Sequence, residues 1–157
     1  MTRDIIDQAL FDNGINKFYF DFADNINGIM IGANIVIDSK IKDSYKDNST
    51  TWHEFFHVIT CPRNLVEAPK VIQDKFEHIA ERKTAEQCLP LDTIIELYEY
   101  GASSLEDFSE ALELDAEYIY HTLQQYQSRY GYNYRHGDYI FESFVPLNIK
   151  NKGARET

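Results

Sequence analysis

The chain has 157 residues, with 15 Lys plus Arg against 26 Asp plus Glu and a formal net charge of −11. That length holds one ordinary domain, or one with a small appendage, and buries a core without a disulfide framework. So few cations exclude a generic polyanion binder and disfavour an anionic membrane surface, because phosphate is gripped by Lys and Arg. The longest apolar stretch, residues 28–37, is about half the roughly 20 residues of a membrane span. The N-terminus turns acidic too early for a signal peptide. The two cysteines, Cys61 and Cys88, read as reduced thiols, so the expected location is the cytoplasm.

Taken in chain order, residues 4–12 place Ile5, Ile6, Ala9 and Leu10 on one helical face, and Asn13-Gly14 ends that helix. Phe18, Phe20 and Phe22 alternate as in a strand. Two short β-rich runs follow at 29–31 and 34–37, split by Gly32-Ala33. Residues 40–51 read as a polar loop that ends in several N-cap residues. A helix then runs to Cys61 and stops at Pro62. Pro69 opens the next helix, about 70–88, with Ile72, Phe76, Ile79 and Ala80 on its buried side. A helix over 92–100 stops at Gly101. Two short helices, 104–112 and 115–128, meet at Glu113-Leu114 in a helix-turn-helix-like pair. Its stripe is Leu105, Phe108, Leu112, Ile119, Leu123 and Tyr126. Alternating aromatics over 130–144 read as a β-hairpin across Arg135-His136-Gly137-Asp138, and the tail from 146 onward reads as flexible.

The chemistry sits in Trp52-His53-Glu54-Phe55-Phe56-His57. His53 and His57 are four apart on a predicted helix, with Cβ atoms roughly 6 Å apart on one face, where they can share a zinc ion. Glu54 is rotated about a hundred degrees from His53, so it can flank the metal and take a proton from water. A catalytic zinc has three protein ligands and one open position. The following helix offers Glu77, His78 and Glu81 for the third. Cys61 is a poorer choice, because it lies eight residues from His53, about 12 Å along the helix axis. It reads as a buried thiol.

The H53-E-F-F-H57 motif, followed by E77-H-I-A80-E81-R-K-T-A85-E86-Q-C-L-P90, resembles the ImmA/IrrE family of zinc metallopeptidases. The resemblance spans about residues 15–100. It implies Glu77 as the third ligand, with Glu54 as the catalytic base beside one zinc ion, for which manganese can stand in an assay. Glu81 stands where the family has Asn or Asp. It either orients a histidine ligand through its outer nitrogen or approaches the metal itself. Phe55-Phe56 replaces a small residue, which predicts a bulkier cleft wall. A further donor should stabilise the oxyanion. The candidates are His78, His136 and the tyrosines Tyr130, Tyr132, Tyr134 and Tyr139.

The fold class expected is α+β. A small zincin-like peptidase core over 1–90 has a short mixed or antiparallel sheet, the H-E-x-x-H helix and the Glu-bearing helix. A helix-turn-helix-like module with a β-hairpin over 91–145 packs on it, and 146–157 forms the tail. The 91–145 segment holds −9 of the net charge, with acids at the turn and at the start of its second helix, so DNA reading is disfavoured and no direct nucleic-acid binding is expected. Its acidic face is either a solvated bundle surface or a docking surface for a basic protein. The resemblance implies cleavage of a basic helix-turn-helix repressor of a phage or mobile element. Two other readings stand beside it: a non-catalytic partner-binding protein with a vestigial or structural zinc, and an acidic anti-repressor that mimics DNA.

Overall fold

A computed structural model describes residues 2–61 and 67–153 of the chain. The expected stop at Pro62 and the last residues of the expected tail, 154–157, lie outside the described residues. The fold is α+β: among the described residues, six helices and two three-stranded sheets. Helix α1 (Thr2–Asp12) leads into β1 (Asn16–Phe20), β2 (Gly28–Ile31) and β3 (Asn34–Asp38). The sheet order is β1-β3-β2, with β1 parallel and β2 antiparallel to β3, so β2 is an edge strand. Its register puts Gly28 and Met30 on the same face as Ile35 and Ile37, the face that α2 (Ser44–Thr60) covers.

Helix α2 starts eight residues before the predicted helix. The segment read as a polar loop supplies its first two turns. Asp43 caps it, with its side chain accepting from the Tyr45 N–H at 2.8 Å. The composition of this stretch is polar because its partners are polar. Asp47 is buried and accepts from Lys17 and from the Tyr19 hydroxyl of β1. Asn48 donates to the Glu113 carbonyl at 2.9 Å, and Ser49 Oγ accepts from the Asp115 N–H at 3.1 Å. Each of these side chains has a specific partner that offsets its desolvation, although Asn48 Oδ1 is buried without one.

Helix α3 (Lys70–Cys88) packs along α2. Its predicted apolar face is buried only from Ala80 onward, whereas Ile72 is exposed, because the first turns run alongside the histidine face of α2 rather than over the core. Helices α4 (Leu91–Glu99), α5 (Leu105–Leu112) and α6 (Ala116–Tyr130) follow. Ser104 and Asp107 form a reciprocal capping box at the start of α5. Glu113 ends α5 in a left-handed conformation, φ 55°. Its carboxylate accepts from the Thr2 N–H at 2.9 Å, so the α5–α6 turn is tied to α1 as well as to α2.

The expected hairpin is a three-stranded antiparallel sheet of β4 (Tyr134–His136), β5 (Tyr139–Phe144) and β6 (Leu147–Asn151). Tyr130 belongs to α6 rather than to a strand. The first part of the predicted tail is β6, held by its ladder to β5 and by buried Ile149. Among the described residues, one buried cluster links the two sheets and the helices. It joins Ile6, Ile35, Ile37, Trp52 and Phe55 to Leu89, Ile94, Phe108, Ile119, Leu123, Phe141 and Phe144.

Candidate metal centre

Three donor side chains converge between α2 and α3. His53 and His57 stand one turn apart, and their Nε2 atoms lie 3.0 Å from each other. Glu77 of α3 spans both, with Oε1 3.0 Å from His53 Nε2 and Oε2 2.9 Å from His57 Nε2. One ligand atom from each residue lies within 4.8 Å of the others. The apolar side of α2 sets its rotation. The Trp52 and Phe55 rings meet edge to face at 5.4 Å and bury against the core, which turns the histidines toward α3. Phe55 and Phe56 pack against each other there and do not line the cleft, so the expected bulkier wall is absent.

This donor set fits a zinc ion. A tetrahedral zinc with bonds of about 2.0–2.1 Å spaces its ligand atoms about 3.3 Å apart, close to the separations seen here. Two imidazole nitrogens and a carboxylate, all lone-pair donors, point at one spot. Such a group needs a cation or shared protons to be stable. Burial works against a charged His53, but the hydrogen bond it donates to Glu77 and the charges of Glu54, Glu77 and Glu81 outweigh it and raise its pKa. The two histidine hydrogen bonds hold the Glu77 carboxyl far below the usual range, against a smaller opposing effect of burial.

Glu54 lines the same cavity as the three donors. It is 7% exposed. Burial raises its pKa and the Glu77 charge adds to this, while the two histidines pull the other way. A carboxylate so placed is a better proton acceptor than a solvated one. Its stem lies directly behind β2, where a Cβ added at Gly28 would meet Glu54 Cγ at 3.2 Å.

The cavity, about 1040 Å³, is walled by β2, by the histidine face of α2, by Gln73 and Glu77 of α3, and by Asp115 with the first turns of α6. The sequence reading missed the α6 wall, which includes Tyr118, Tyr120, His121 and Gln124. Nothing local links these residues to a motif some seventy positions earlier. The junction is made by the Ser49–Asp115 and Asn48–Glu113 hydrogen bonds.

The structure corrects the remaining site expectations. Glu81 braces neither histidine donor; its carboxylate accepts from Gln125 at 3.1 Å and lies 3.6 Å from His78. The side chain of His78 is 80% exposed and faces away from the cavity lining. His136 and Tyr139 fasten the second sheet to α4, pairing with Asp92 and with Glu99, each at 2.7 Å. Tyr130 and Tyr134 stack on each other with centroids 4.2 Å apart, and Tyr132 is exposed. Neither these tyrosines nor His78, His136 and Tyr139 line the cavity, so none is placed to meet an oxyanion there. Cys61, expected to be a buried thiol, is half-buried, with its Sγ 3.2 Å from His57 Nδ1. The spacing could have revealed this contact, since 53, 57 and 61 share one helical face.

No protein-family model matches the chain, and no curated protein matches its sequence. No helix among the described residues is long and apolar enough to cross a membrane.

Proposed function

We propose that this protein is a zinc-dependent endopeptidase with a zincin-like core, of the ImmA/IrrE type, and that its substrate is a basic helix-turn-helix repressor of a phage or mobile element. The observation that carries the reading is the convergence of His53, His57 and Glu77 beside a buried Glu54 in one open cavity. His53, His57 and Glu77 would hold the ion. When bound there, zinc supplies Lewis acidity, which acidifies water and polarises a carbonyl. Glu54 takes the proton of the attacking water and delivers it to the leaving amine. Strand β2 supports a peptide as substrate, because it is an edge strand beside the cavity and such an edge offers backbone hydrogen bonds to an extended chain. The acidic 91–145 segment favours a basic substrate by attraction.

The test has two parts. Metal content is measured by mass spectrometry for wild type, His53→Ala and Glu77→Ala, and zinc unchanged in both variants would remove the site. The zinc-loaded protein is then incubated with the helix-turn-helix repressor encoded beside its gene, with Glu54→Gln as control. Cleavage by wild type alone supports the peptidase. Repressor binding without cleavage, equal in Glu54→Gln, would point to a non-catalytic partner-binding protein.

A further inference from the structure

His121 of α6 lies outside the H-E-x-x-H motif, and it lines the cavity that holds His53, Glu54, His57 and Glu77. Its ring is exposed to the cavity, and its neighbours bias which nitrogen carries the proton. Gln125, one turn further along α6, donates from Nε2 to Glu81 Oε2 at 3.1 Å. The same nitrogen lies 3.3 Å from His121 Nε2. A carboxylate accepts only, so the amide nitrogen of Gln125, not its oxygen, faces Glu81. The second hydrogen of that NH₂ group goes to His121 Nε2, which therefore carries the lone pair. The proton of the neutral ring then sits on Nδ1. Glu81 stands one turn after Glu77 on α3. The brace thus starts on the helix that supplies the third donor and ends on the facing wall.

We infer that His121 is a catalytic residue, the oxyanion donor of this site, and that Glu81 and Gln125 are positioning residues that hold its Nδ1–H toward the substrate. The inference rests on the peptidase reading. As water adds to the scissile carbonyl, a C–O bond forms and the C=O π pair moves onto oxygen. Nδ1–H of His121 donates to that oxygen and keeps its proton throughout. The C–N bond then breaks, and both water protons pass through Glu54 to the leaving nitrogen, leaving a carboxylate and an ammonium. This gives Glu81 a role in the site that does not pass through the histidine ligands.

Long-range proton–nitrogen NMR on the metal-free protein reads the tautomer directly. Wild type should show His121 protonated on Nδ1, and Gln125→Leu should shift it toward the Nε2–H form. Zinc-loaded wild type, His121→Ala and Gln125→Leu are then compared on a random decapeptide library read by mass spectrometry. Zinc content should be equal in all three. Turnover should fall about 100-fold in His121→Ala, the usual loss for an oxyanion donor, and about ten-fold in Gln125→Leu. An Nε2–H ring in wild type, or full turnover by His121→Ala, overturns the inference while leaving the peptidase standing. A zinc-loaded wild type that cleaves neither the library nor the repressor overturns the peptidase, and the inference with it, whatever the tautomer.

Discussion

His57 is held from both sides: its Nε2 lies 2.9 Å from Glu77 Oε2, and its Nδ1 lies 3.2 Å from Cys61 Sγ. A His57 that ligates through Nε2 carries its proton on Nδ1, and Cys61 Sγ stands where it can accept that N–H and hold the ring. Cys61→Ala removes that partner without touching a ligand. We expect zinc affinity to fall about ten-fold, at the low end of losses for such supporting groups. Competition with a chromophoric chelator measures it. Affinity within two-fold of wild type would mean that the thiol contact does not orient the ring.

Gly28 governs how closely β2 approaches Glu54. A methyl group there would meet Ile37 Cδ1 and Thr50 Cγ2, each at 3.1 Å, and Glu54 Cγ at 3.2 Å. Ile37 is fully buried, so the crowding is relieved mainly by moving β2 or Glu54. Gly28→Ala should lose about 1–3 kcal/mol of stability. It should also lower kcat about ten-fold by displacing the carboxylate from the attacking water. Zinc content should not change, because no ligand is moved directly. Unaltered kcat in a folded Gly28→Ala variant would show that the contact is only packing.

The histidine motif was legible because its spacing is local: one helix carries both rings and Glu54. The α+β class and most elements were legible for the same reason, since 3.6- and 2-residue periods are written in the segment itself. The first half of α2 was not. Asp47, Asn48 and Ser49 look like loop residues, and it is their partners on β1 and on the α5–α6 turn that let them be helical and buried. Strand β6 failed similarly, because its pattern of one buried residue, Ile149, among polar neighbours is set by an edge position in the sheet. The roles given to His78, His136 and Tyr139 rested on residue type alone. Type does not say which wall a side chain faces.

The buried pair Lys17–Asp47 anchors that polar half of α2 to β1. Burial would raise the Asp47 pKa, but the hydrogen bonds from Lys17, Tyr19 and Thr51 and the Lys17 charge outweigh it and lower it below the ordinary value. A carboxylate lowered on folding stabilises the native state fully above its unfolded pKa, about 3.9, and less as pH falls through the folded value. Lys17→Met leaves buried Asp47 with only the more distant Arg3 guanidinium, 3.7 Å away, as a cation and should cost up to about 3 kcal/mol at neutral pH. The gap from wild type should narrow below about pH 4, as Asp47 takes up a proton. Urea unfolding at pH 7, 5 and 3.5 checks this. A gap independent of pH would mean that the loss comes from packing of the lysine stem.

The acidity of the 91–145 segment is unevenly available to a partner. Asp92 pairs with His136, Glu99 with Tyr139, Asp107 caps α5, Glu113 holds Thr2, and Glu142 pairs with Lys150. Those charges already serve the fold. Asp115 and Glu117 instead stand in the cavity wall, where burial and the charges of Glu117 and Asp43 raise the Asp115 pKa. A cationic substrate side chain would relieve that crowding of like charge. Neutralising both in Asp115→Asn/Glu117→Gln should lower kcat/KM toward a basic substrate about ten-fold, at up to roughly 1 kcal/mol per exposed charge pair. It should also flatten the decline of kcat/KM with added salt. Neutralising Glu106 and Glu110 on α5, outside the cavity lining, should shift the rate far less. Equal losses from the two double variants would assign the attraction to the net charge of the whole segment rather than to the α6 wall.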